Sequence, residues 1–165
     1  MMGRSLLFIG AVAMLGVIAT AVIGYGVNDR MGEVMRIHAV VGLIASVLVL
    51  FSHCWIMFYL IGTGKAIKDA VKENGLEPDI IEETKRFKNL SYPWLLLAMG
   101  LLMATFIVGG GVLTGSIPVW VHHVLFYAAV LAQGYTLWVE YQVLVDNERL
   151  MTRVNRLLAA VPEAR

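Results

Sequence analysis

Apolar residues run in four long stretches along the chain, roughly Leu6–Val27, Val34–Ile61, Tyr92–Leu113 and Ile117–Leu144. A hydrocarbon layer of about 30 Å takes about 20 helical residues to cross, so each stretch predicts one membrane-spanning helix. Polar residues collect between them, in a connection near 28–33, a loop at 63–90, a turn at 114–116 and a tail at 145–165. The pattern predicts an all-α, integral membrane four-helix bundle, one domain over residues 1–165. It carries a helical cytoplasmic loop and a C-terminal helical extension.

Local signals refine this outline. In span one Gly16, Thr20 and Gly24 recur every four residues and give a smooth packing face. Ala19-Thr20-Ala21 mimics a cleavage site, but the apolar run continues past it, so the segment reads as a span and not a removable leader. Asn28-Asp29 closes it. Gly62-Thr63-Gly64-Lys65 lacks the spacing of a phosphate loop and reads as a glycine helix stop with an interfacial lysine. Two short amphipathic helices follow, Lys65–Asn74 stopped by Gly75, and one from Pro78 to Phe87 with Glu82 and Arg86 at i,i+4. Gly109-Gly110-Gly111 reads as the end of span three, with a second use in letting a flat ligand approach the backbone. Span four opens at Ile117-Pro118-Val119-Trp120 and continues as one long helix. There Val143, Leu150 and Leu157 share one heptad position and Asn147, Val154 and Val161 another. The end of this helix is expected to protrude into the cytoplasm and to pair with a partner or fold onto the loop, with surface packing expected ahead of a free coiled coil because only about two heptads are present.

Composition supports the membrane reading: 59% of residues are hydrophobic and 15% charged. The bilayer is therefore the first partner. Net charge is +1, yet its distribution is uneven. Eleven of the 13 Lys and Arg fall at the N-terminus (Arg4), in the long loop or in the tail (to Arg165), and only Arg30 and Arg36 near the first connection. The positive-inside rule then puts both termini and the loop in the cytoplasm, as in a bacterial inner membrane protein. Six acids balance six bases in the loop, which argues against a nucleic-acid or strong lipid clamp. Cys54 is the single cysteine, so no internal disulfide forms. No enzyme motif identifies a substrate.

The chemistry lies in the histidines. All four, His38, His53, His122 and His123, sit inside the apolar runs. Imidazole at membrane depth is costly without a partner and marks a functional site by default. Span two holds His38 and His53, 15 residues apart, which is roughly 22 Å along the axis and within about 60° of the same face. The orientation puts His38, His122 and His123 together near the outer surface. A b-type haem needs two axial ligands from facing helices, and His38 with His123 is the preferred pair, with His122 as substitute. Adjacent residues point about 100° apart, so only one of the two faces span two squarely. Arg30 or Arg36 would neutralise haem propionates, and Gly42 and Gly110 would make room for the ring. The same trio suits a copper or zinc site. Quinone contact, proton transfer and structural hydrogen bonding stay open. His53 has Met14 and Met99 at comparable depth as fellow ligands. A copy of itself in a homodimer, or a Ser or Tyr hydrogen bond, would serve it equally, and the structural reading is the stronger.

In this placement of histidines across four spans the chain resembles the small four-helix membrane cytochromes b. That resemblance implies haem b held by His38 and by His122 or His123, and electron transfer between quinones and redox partners. It departs from members with two haems, which want four ligands in two layers, whereas here three histidines crowd one layer. The leading expectation is a haem-b electron carrier linked to quinone or a respiratory complex, as a homo-oligomer or part of a larger membrane assembly. The alternatives are a non-catalytic accessory or assembly subunit and a three-histidine copper site.

Overall fold

The computed structural model describes residues 2–27 and 32–160; Asn28, Asp29, Arg30, Val161 and Arg165, named above, lie outside them. Four helices follow in order: α1 (Met2–Tyr25), α2 (Glu33–Asn74), α3 (Asp79–Leu113) and α4 (Val119–Ala160), with no strand among the described residues. The chain is an all-α bundle. α2 packs on α1 and α4 on α3, while α2 against α3 and α1 against α4 close the ring. α2 and α4 run parallel across the diagonal, since His38 meets His122, His53 meets Glu140 and Thr63 meets Asn147.

α1, α2 and α3 are long and apolar enough to cross a membrane. α4 is not among these, although it packs along α3. His122, His123, Gln133 and Glu140 dilute its apolar run, and the last two are buried. Large apolar side chains point outward around the bundle, Phe8, Phe58, Ile107 and Leu131 among them. The interior mixes large apolar side chains such as Ile56 and Leu95 with small residues and polar groups, including Ala13, Ala45, Ser52 and Thr136. A lipid-facing surface asks for this distribution, because the solvent is itself apolar.

The loop differs from expectation. α2 runs unbroken through Gly62-Thr63-Gly64-Lys65 to Asn74, so there is no helix stop at that motif. Thr63 Oγ1 donates to the Tyr59 carbonyl at 2.9 Å, and Gly64 faces α3, where a Cβ would sit in ordinary contact 3.6 Å from Thr84 Cβ. The apolar run ends near Ile61, but the helix goes on to Asn74. α3 likewise starts at Asp79 and continues through Pro93. That proline cannot donate to the carbonyl four residues back, but it lies on an exposed position. The two expected loop helices are thus the ends of α2 and α3. Gly75 does stop α2, with φ 63° and its N–H bonded to Val71 O. Glu82 pairs with Lys85 at 2.6 Å in place of the expected Arg86.

The tail of α4 folds onto this hairpin. Val143, Leu150 and Val154 are buried with Ile67, Val71, Ile80 and Phe87, and Arg153 pairs with Glu83. Leu157, on the same heptad stripe, is 40% exposed. At the opposite end the triple glycine is helical, and α3 closes at Leu113. Gly111 has no room for a Cβ because the Ile117 side chain occupies its place, 2.5 Å away.

Candidate functional site

His38 on α2 and His122 on α4 meet across the bundle diagonal, with ring centroids 6.3 Å apart and planes at 83°. Each ring is held in the same way by the neighbouring helix. His38 Nδ1 bonds to the Thr20 carbonyl on α1 at 2.9 Å, and His122 Nδ1 bonds to the Thr105 carbonyl on α3 at 3.0 Å. A carbonyl only accepts, so in both rings Nδ1 carries the proton. No hydrogen bond engages Nε2 of either ring among the described residues.

A glycine one turn beyond each threonine makes this possible. A Cβ at Gly24 would lie 2.8 Å from His38 Cε1, and one at Gly109 would lie 3.1 Å from His122 Cε1. Without those atoms the imidazole reaches the backbone carbonyl four residues earlier. Both threonines turn their own hydroxyls back, Thr20 to Gly16 O at 2.8 Å and Thr105 to Leu101 O at 2.7 Å. The α1–α2 hairpin and the α3–α4 hairpin therefore carry one device each, a Thr-x-x-x-Gly turn on the first helix and a histidine on the second.

His123 points elsewhere. It is exposed, and its ring lies 6.2 Å from that of Tyr25, whose hydroxyl bonds to that of Tyr127. So His122, and not His123, is the residue placed against His38. His123, Tyr25 and Tyr127 form a polar rim beside the pair. Arg36 lies two residues before His38, about 200° around α2. It is exposed and shares a shallow groove with Glu33, Ile37, Val40 and Val41, so it is not on the histidine face. Arg30 lies outside the described residues. Gly42 is closed by Thr20, whose Cγ2 would lie 3.1 Å from a Cβ there, and Gly110 opens onto free space. Neither borders the pair. No group of three or more His, Cys, Asp or Glu among the described residues is placed to hold a metal ion.

His53 occupies a different setting. It is fully buried, with Nδ1 2.6 Å from Glu140 Oε1 and Nε2 2.9 Å from Gln133 Oε1. Both ring nitrogens are engaged, which leaves none for an iron shared with Met14 or Met99. Its burial likewise keeps it from a second copy of the chain. Glu140 and Gln133 are the residues that sequence reasoning missed. The signal was present, since Gln133 and Glu140 both fall inside the apolar run Ile117–Leu144 and are seven apart on α4, so that they share a face. Comparisons with family models, curated proteins and solved structures return no match for this chain.

Proposed function

We propose that the chain is a membrane b-type haem electron carrier with His38 and His122 as its axial donors. One observation carries this reading: two imidazoles from opposed helices face one another with their Nδ1 protons committed to backbone carbonyls. Metal-bound histidines are typically held this way by the second nitrogen, which fixes the tautomer and the ring plane. The two rings would hold the iron of a haem b, each through the nitrogen that its carbonyl leaves free. When bound, such a group supplies one-electron transfer at a potential set by its axial ligands and surroundings. The protein's part is to orient the rings, to hold the bundle apolar around them and to present the Tyr25–Tyr127–His123 rim at the open end.

The charge bias supports a topology with the hairpin end in the cytoplasm, the histidine pair toward the outer leaflet and α4 as a fourth span. A quinone-linked respiratory partner fits that position. The full chain, purified in detergent after expression with haem supplied, should show a b-type absorption spectrum. His38→Ala and His122→Ala should each lose that spectrum while still inserting, and His123→Ala should keep it. Copper bound without haem would instead favour the metal site, and neither would favour an accessory subunit.

A further inference from the structure

Four buried side-chain atoms lack a hydrogen-bond partner among the described residues: Ser52 Oγ, Gln133 Nε2, Glu140 Oε2 and Asn147 Nδ2. They are not scattered. Gln133, Glu140 and Asn147 recur every seven residues along α4 and so share its inward face, while Ser52 adjoins His53 on α2. Ser52 Oγ and Glu140 Oε2 converge over Gly10 of α1, where a Cβ would lie 3.3 Å and 3.9 Å from them. Toward the hairpin end, Thr63 Oγ1 donates to Asn147 Oδ1 at 3.2 Å. Buried polar atoms are nearly always satisfied, and water serves where protein does not.

We propose that His53, Glu140, Gln133 and Ser52 form an internal, hydrated site that binds and releases one proton, reached from the hairpin end past Thr63 and Asn147. Gln133 is the residue that suits this task. Its amide oxygen accepts from an Nε2–H, as placed here at 2.9 Å, and with the amide turned over its NH2 donates to a bare Nε2. The same side chain thus serves the imidazolium and the neutral imidazole. Glu140 accepts from Nδ1–H in both forms, and its carboxylate neutralises the imidazolium. The step balances: water delivers a proton to Nε2, the buried pair goes from net −1 to neutral, and Gln133 changes from donor to acceptor. Release reverses it.

No other charged group among the described residues touches His53. α1 brings the Gly10 backbone. On α3 the Ser91 and Tyr92 hydroxyls donate to Phe87 O at 2.8 Å and Met57 O at 3.0 Å. The reading is independent of haem, since both ring nitrogens of His53 are occupied.

Nitrogen-15 NMR of the full chain, histidine-labelled in lipid nanodiscs, tests it. The His53 signals are assigned by their loss in His53→Gln. They should change from the imidazolium to the neutral pattern as the pH is raised across the range in which the bundle stays folded. Glu140→Gln should lose the imidazolium pattern over that range. Asn147→Leu should keep the wild-type titration but lose fast exchange of the His53 ring protons with solvent. A His53 that holds one form throughout in the wild type overturns the site. Unchanged exchange in Asn147→Leu overturns the route. Should Glu140→Gln fail to fold, the wild-type titration still decides.

Discussion

At the residue scale, two missing methyl groups set the histidine geometry. Gly24 and Gly109 leave space that His38 and His122 fill, and that space lets each ring reach a carbonyl. Gly24→Ala puts a carbon 2.8 Å from His38 Cε1, nearer than packed atoms approach, so the ring must turn off the Thr20 carbonyl. Haem content measured by pyridine haemochrome should fall clearly in Gly24→Ala and Gly109→Ala. Gly110→Ala, which opens onto free space, should match the wild type. The sequence made it legible that His38 and the His122–His123 pair share a depth, because hydropathy and charge order the spans along the membrane normal. It did not make legible which of the two turns inward. That choice depends on the rotation of α4, and Thr105 and Gly109 on a different helix decide it. Glu140 was hidden for a related reason: its partner, His53, lies on another helix, and hydropathy along one run does not pair residues across the bundle.

At the element scale, apolar runs marked the depth of the helices more faithfully than their ends. α2 and α3 each continue past their apolar stretch into the hairpin, with Gly62, Gly64 and Pro93 inside helices. Breakers fail to break where packing compensates, and Gly64 against Thr84 is such a place. Gly75 is different, for its φ of 63° lies where a Cβ is strained. Gly75→Ala should cost about 1 kcal/mol of stability, read as an earlier thermal unfolding midpoint in detergent. The heptad tail gives a sharper contrast. Leu150 is buried against the hairpin and Leu157 is largely free. Leu150→Ala should cost about 2–5 kcal/mol and expose the hairpin to protease, whereas Leu157→Ala should change little. Equal effects at the two positions would mean that the tail pairs with another chain and not with its own hairpin.

At the scale of the whole molecule, two helical hairpins meet so that matching histidines face across the diagonal. Each hairpin supplies a complete holder, and neither alone supplies two donors. The four-helix architecture could be read from the four apolar runs, because each must bury one face and expose another to lipid. The site needed the bundle's closure, which no single run encodes. A second buried centre around His53 lies farther along the same parallel pair, α2 and α4, and uses α4 residues at heptad spacing. His38 and His122 thus lie at one end of the bundle, apart from the hydrogen-bonded group of His53, Glu140 and Gln133. Near-infrared magnetic circular dichroism of the purified, haem-supplied chain tests the proposed His38–His122 site most directly, because it reads the ligands of a bound haem. One low-spin haem per chain is expected, with the bis-imidazole charge-transfer band absent in His122→Ala and unchanged in His123→Ala. A wild-type protein that takes up no haem, or one whose bis-imidazole band survives in His122→Ala, would contradict it.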